Sequence, residues 1–294
     1  MRVVVAVDRS DPTFKLVHAV TRLYTPVELT LVHAVDHGLA KYPERGPIGR
    51  GLVPEELRPL LDFGHKFLEE AAKSVPPELN LVVKQVCELG NAARVIINTA
   101  QMEAADLIVT GSRGLSGEER EFTVGSVSDR IASHAPCSTL VVKQIPEQIS
   151  RVLVAVNGID DAAQIQRWLL ANPFHNPVET TVLHVVPTLN AYRSDTSLAH
   201  HDRFHDNLHE DSVSWGEKLV ENIATKLSAP AGGHYRAHSQ VSSGDPPEVI
   251  VKESVRQDLV IMASHGFQSA VRFTSGSVAQ KVLHRVSVPV LIIG

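Results

Sequence analysis

The chain has 294 residues, long for one domain and natural for two of about 140 to 150 each. Apolar residues make up 43% and charged residues 21%, the balance of a soluble globular protein. Lys and Arg total 28 against 33 Asp and Glu, a net charge of −5 that argues against a dedicated nucleic-acid surface; two cysteines, Cys87 and Cys137, exclude a disulfide framework or a cysteine metal site and fit a reducing cytoplasm.

The first element is a strand, Val3–Val7 in "RVVVAVD", and with it no signal peptide is expected. No apolar run approaches the ~18 residues of a membrane span. A helix is predicted over Thr13–Leu23, with Phe14, Val17 and Leu23 on one face, and a strand over Leu29–Val35. The segment Asp36–Pro54 is rich in Gly, Pro and charge, and reads as a lid over a crevice or as a long connection. Apolar residues at helical spacing (Leu57, Leu60, Leu61, Phe67, Leu68, Ala71) predict a helix over Glu55–Ser74. Strand Leu81–Val86, helix Ala92–Ala104, strand Leu107–Thr110, helix Gly125–His134 and strand Thr139–Val142 complete a βαβαβαβαβ series. The strands are short and apolar on consecutive positions, as suits parallel strands covered on both faces.

After the polar linker "KQIPEQIS", Lys143–Ser150, the pattern is written again. "RVVVAVDRSD" returns as "RVLVAVNGID", "ELTLVHAVD" as "ETTVLHVVP", and "ADLIVTGSRG" as "QDLVIMASHG". Val124–Val142 matches Ser275–Ile293 without a gap, and equivalent positions lie 149 to 154 residues apart. Domains over 1–145 and 150–294 are expected. Each is read as a doubly wound α/β fold with five parallel strands in the order 3-2-1-4-5, the two related by a pseudo-two-fold axis.

In such a sheet ligands bind beyond the carboxyl ends of the strands, where the order reverses. Asp8 ends the first strand and Gly111 the fourth, so the loop through Arg113 and Gly114 opens onto that crevice. Gly111 and Gly114 let main chain approach a ligand. Gly125-Ser126 starts a helix whose free N–H groups favour a phosphate. Asp8 can accept a hydrogen bond from a base or ribose. There is no Walker lysine and no Ser-His-Asp or Cys-His arrangement, so fast catalysis is not expected.

Taken together, the "VAVD" opening, "LVHAV", Gly90, the glycine loop and "APCSTLVV" resemble the universal stress protein family in tandem form, over nearly the whole chain. The family's signature is Gly, two residues, Gly, nine residues, then Gly-Ser or Gly-Thr. The resemblance implies that Asp8 and Ala34 contact adenosine. It also implies that Gly111, Arg113, Gly114, Gly125 and Ser126 hold the phosphates of ATP, with Mg2+ or Mn2+. The counterparts in the second repeat are Asn157, Val185, His265, Gly266, Gly276 and Ser277. Both repeats depart from the signature. The spacer Leu115–Val124 has ten residues and contains the acidic "EERE"; in the second repeat Ala263 replaces the first glycine and Asn157 the aspartate. The family further implies pairing of domains through their last strands, and a homodimer is an open possibility.

Three other features carry chemistry. His201, His205 and His209 fall at i, i+4 and i+8, a spacing open to zinc or to a solvated polar face. His33 and His184 read as hydrogen-bonded histidines near the ends of buried strands, and Cys137 as a small core residue. The expected function is that of a cytoplasmic stress-response protein that binds or senses adenine nucleotide and acts through conformation or through an unknown regulatory partner. The alternatives are an interaction scaffold with degenerate crevices and a zinc-binding regulator.

Overall fold

A computed structural model describes residues 1–8, 14–35, 55–112, 124–144, 148–188, 202–229, 233–264 and 278–294, with the side chains of 56 and 202–208 outside the description. The chain divides into two compact units, Met1–Ile145 (with Gly294) and Pro146–Ile293.

In the first unit, β1 (Arg2–Ala6), α1 (Lys15–Leu23), β2 (Glu28–Val35), α2 (Arg58–Lys73), β3 (Val82–Leu89), α3 (Ala92–Met102), β4 (Leu107–Gly111), α4 (Ser126–His134) and β5 (Ser138–Val142) follow one another. The strands are ordered β3-β2-β1-β4-β5 and all pair in parallel. The second unit runs β6 (Arg151–Val156), α5 (Ile159–Ala171), β7 (Val178–Val186), α6 (Asp202–Leu227), β8 (Tyr235–Ser243), α7 (Pro246–Ser254), β9 (Leu259–Ala263), α8 (Val278–Arg285) and β10 (Val290–Ile293). Its strands are ordered β8-β7-β6-β9-β10, again all parallel.

The central strands are buried without interruption: Val3, Val4 and Val5 are at most 1% exposed, and Leu107, Ile108 and Val109 are wholly covered. One face of the first sheet packs Val4, Val32 and Ile108 under Ala93, Ile96 and Ala100 of α3 and Ile131 of α4. Leu16, Val17 and Val20 of α1 and Leu68 and Ala71 of α2 are buried too. Reversal of strand order across β1 sends right-handed crossovers to opposite faces, which puts α1 and α2 on one side and α3 and α4 on the other.

Several predicted boundaries and burials need correction. The strand expected at Leu81–Val86 runs Val82–Leu89 and is not covered on both faces; Val82 is 59% exposed. It is an edge strand, so its pattern is set by one neighbour rather than two. The first helix begins at Lys15, because Phe14 turns into the left-handed region at φ 50°. Its ring lies 5.5 Å from Phe67 instead of joining the α1 face. Glu55–Leu57 form a 3-10 turn before α2, whose first turn accommodates Pro59, a residue with no N–H to leave unpaired. The third helix stops at Met102, ahead of Ala104 at φ 45°. Gly125 caps α4 rather than belonging to it.

Duplication reaches the turns. Gly90 and Gly244 sit at φ 147° and 150°, a region open to glycine, and their N–H groups donate to Val35 and Val186 at 3.1 and 3.0 Å. Each bond ties the end of the third strand of a unit to the end of its second. At the opposite end of the sheet, Asp106 accepts from the N–H of Arg2 at 2.7 Å. Asp258 likewise accepts the N–H groups of Ser150 and Arg151 at 2.9 and 2.8 Å. Burial pushes the Asp258 carboxyl up, but these N–H donors and the Ser150 hydroxyl outweigh it and hold it below the usual carboxylate range. A depressed folded-state pKa stabilises the fold above the unfolded value, and the gain is lost as pH falls through the folded value. The unfolding free-energy difference between wild type and Asp258→Asn is therefore expected to be constant above about pH 5 and to shrink toward zero on acidification below the ordinary Asp pKa of about 4. Denaturant titrations across that range check it.

Candidate functional site

The crevice of the first unit is built at the carboxyl ends of β2, β1 and β4. The register pairs Ala6 with Val32 and Val5 with Val109. Continued to the strand ends, it puts Asp8 level with Ala34 on one side and Ser112 on the other. Two of the predicted adenosine-contacting residues thus share one row across the point where the strand order reverses.

The phosphate side is stitched to the same row. The Ser112 N–H donates to the Val142 carbonyl at 2.8 Å, and the Ser112 carbonyl accepts from the Gly125 N–H at 2.7 Å. That second bond brings the mouth of α4, with Gly125 and Ser126, against the end of β4 and Gly111. Gly125 has φ −69° and ψ 157°, a conformation open to any residue, and makes no side-chain cap. The first N–H groups of α4 have no intrahelical acceptor and carry the positive end of the helix dipole.

Beneath this mouth lies a hydroxyl pair that the sequence reading did not single out. Thr110 Oγ1 and Ser128 Oγ, both 4% exposed by residue, are 3.3 Å apart. Each donates to the Gly111 carbonyl, Thr110 at 3.3 Å. Together they hold the Gly111 carbonyl.

In the second unit the row is Val185, Asn157 and Ser264, by the pairing of Val156 with His184 and Val154 with Ile261. Ser264 repeats the bond of Ser112, its N–H donating to the Ile293 carbonyl at 2.8 Å. The floor differs. Met262, Ala263 and Ala279, at 6%, 8% and 4% exposure, stand where Thr110, Gly111 and Ser128 stand in the first unit. The hydroxyl pair is replaced by buried apolar side chains.

Arg113 and Gly114, the acidic "EERE", and His265, Gly266, Arg272, Gly276 and Ser277 lie outside the described residues, as do Asp36–Pro54 and His201. On α6 the side chain of His205 is likewise undescribed, and His209 Nε2 lies 3.2 Å from Ser243 Oγ. Among the described residues there is no group of three His, Cys, Asp or Glu that could hold a metal ion. No described helix is long and apolar enough to cross a membrane.

Both thiols are poor nucleophiles here. Burial pushes Cys87 up to about 11 and Cys137 up to about 12, assisted by the negative charges of Glu88 and Asp106 respectively. At pH 8 each is expected to react with a thiol reagent roughly 100-fold more slowly in the native chain than in denaturant. Labelling rates read by mass spectrometry test this.

The fold defines a class: two doubly wound α/β domains in one chain, the strand order of each reversing across its first strand. The universal stress protein family model matches residues 1–143 and again 148–294. The chain belongs to the universal stress protein family and carries its domain twice. Universal stress protein Slr1230 of Synechocystis is 23% identical over 258 residues, 84% of this chain and 81% of that protein. Universal stress protein Mb2028c of Mycobacterium bovis is 25% identical over 289 residues, covering 90% of this chain and 87% of the relative. A universal stress protein structure from Archaeoglobus fulgidus superposes with a TM-score of 0.63 at 16% identity, over 99% of this chain and 95% of its own, a likeness of fold.

Proposed function

We propose that this protein binds an adenine nucleotide in the crevice of its first domain and acts in a cytoplasmic stress response by changing conformation or partners rather than by rapid turnover. The observation that carries the reading is the difference between two otherwise matching crevices. The first keeps Asp8 in the row with Ala34 and has the Gly111 carbonyl held by Thr110 and Ser128. The second carries Asn157, Ala263 and an apolar floor.

The first crevice fits such a ligand chemically. Asp8 accepts from a ribose hydroxyl or base amine. The α4 mouth, with Ser126, offers N–H and O–H donors to phosphate, and Arg113 and Gly114 belong to the same loop. A divalent ion, Mg2+ or Mn2+, would offset the acidic "EERE" of the spacer, since like charges a few ångströms apart repel by about 1 kcal/mol per pair in solvated surroundings. The second domain then serves as an interaction scaffold, the reading favoured by its apolar floor. Calorimetric titration of the full chain with ATP and Mg2+ tests this. One equivalent bound supports it; no heat and no thermal shift at millimolar ligand removes it.

A further inference from the structure

Each domain holds one imidazole in the same three-sided clasp. His33 Nδ1 lies 2.9 Å from the Val7 carbonyl, and His184 Nδ1 lies 3.0 Å from the Val156 carbonyl. A carbonyl only accepts, so each ring carries its proton on Nδ1. Each ring is 8% exposed or less by residue. A helix glycine lies against each: a Cβ on Gly64 would stand 3.0 Å from His33 Cδ2, and one on Gly216 would stand 2.6 Å from His184 Cδ2. An aromatic ring completes each clasp, Phe67 at 5.3 Å from His33 and Trp215 at 5.4 Å from His184.

The carbonyl held in this way belongs to the residue just before Asp8, and in the second domain to the residue just before Asn157. β1 ends at Ala6. The Val7 N–H still donates to Val32 at 2.9 Å, and its carbonyl is taken by His33 from the neighbouring strand. Val7 is therefore held through both its N–H and its carbonyl, and the peptide joining it to Asp8 is held through that carbonyl.

We propose that His33 is the positioning residue for Asp8: by fixing the Val7 carbonyl it sets the direction in which the Asp8 carboxylate meets the nucleoside end of the ligand. This rests on the nucleotide reading of the first crevice. His184 forms the same bond beside a crevice with an apolar floor, and so separates positioning from mere support of the fold.

The test uses the full chain as wild type, His33→Asn, His33→Leu and His184→Leu, titrated with ATP and Mg2+ and followed by amide NMR at Asp8. Asparagine can present an N–H where Nδ1–H stood; leucine cannot. His33→Leu is expected to weaken ATP binding about tenfold, the loss for one misdirected hydrogen-bond partner, and to shift or broaden the Asp8 amide signal. His33→Asn should stay within about threefold of wild type on the same scale. His184→Leu should lose as much thermal stability as His33→Leu yet leave ATP affinity and the Asp8 signal unchanged. In an Asp8→Ala background His33→Leu should add no further loss of affinity. Equal effects of His33→Leu and His184→Leu on affinity, or full additivity with Asp8→Ala, would overturn the proposal. If the wild-type chain binds no ATP, the nucleotide reading fails by itself. The positioning role is then decided by the NMR signal, and an unchanged Asp8 amide in His33→Leu defeats it.

Discussion

Asp8→Ala is expected to weaken ATP binding to the full chain by about tenfold to a hundredfold, the effect of removing a carboxylate that accepts one or two hydrogen bonds from ligand. Continuing the register of β1 with β2 and β4 puts Asp8 level with Ala34 and Ser112, across the reversal of strand order. The residue before it, Val7, is held by its bonds to Val32 and His33, so truncation of the Asp8 side chain leaves the strand end in place. Asp8→Asn should retain part of the affinity, because one acceptor oxygen survives while the charge is lost. Asn157→Ala made in parallel locates the site: a comparable loss there would assign the nucleotide to the second crevice instead. Calorimetry on the three variants gives the comparison, with circular dichroism confirming that each is folded.

The largest loss of stability is expected from Gly216→Val. Even the first added carbon falls 2.6 Å from His184 Cδ2. The ring cannot retreat easily, being held by Val156 at 3.0 Å and bordered by Trp215. Overpacking of this kind costs about 1–3 kcal/mol. Displacing the ring also strands the Val156 carbonyl, at a cost of about 1–3 kcal/mol. The better helix propensity of valine returns only a few tenths of a kcal/mol. The net loss is about 3 kcal/mol, read from denaturant unfolding. Gly158→Ala is the contrast: nothing lies within 4 Å of its added carbon, so its effect stays below about 1 kcal/mol. The counterpart Gly64→Ala meets Cys87 Sγ at 2.5 Å, a side-chain atom. Cys87→Ala should therefore recover part of that loss.

The duplication was legible in the residues because the glycines, the strand-end Asp and Asn, and the second-strand histidines recur at a nearly constant offset. The parallel sheet was legible because runs such as Val3–Val5 and Leu107–Val109 are apolar on every position, and only strands covered on both faces need that. β3 differs: the expected order 3-2-1-4-5 already put it at the edge, and Lys84, Gln85 and Glu88 interrupt its apolar residues. Phe14 misled because helical spacing says nothing about a left-handed residue at the entry to α1. In the site, strand ends and helix mouth could be assigned from Asp8, Gly111 and Gly125. The support beneath them could not. Thr110 and Ser128 meet only once β4 and α4 are packed, and Gly64 meets the His33 ring only across α2 and β2. A glycine in the middle of a helix in both repeats, Gly64 and Gly216, was the one local sign that something large lay against it.

Hydrogen exchange of the full chain with and without ATP and Mg2+ separates the two crevices. Slowed exchange is expected in peptides covering 110–112 and 124–129, with peptides covering 262–264 and 278–280 of the second domain unchanged. Protection at the second set alone, or at neither under saturating nucleotide, would contradict nucleotide binding in the first crevice.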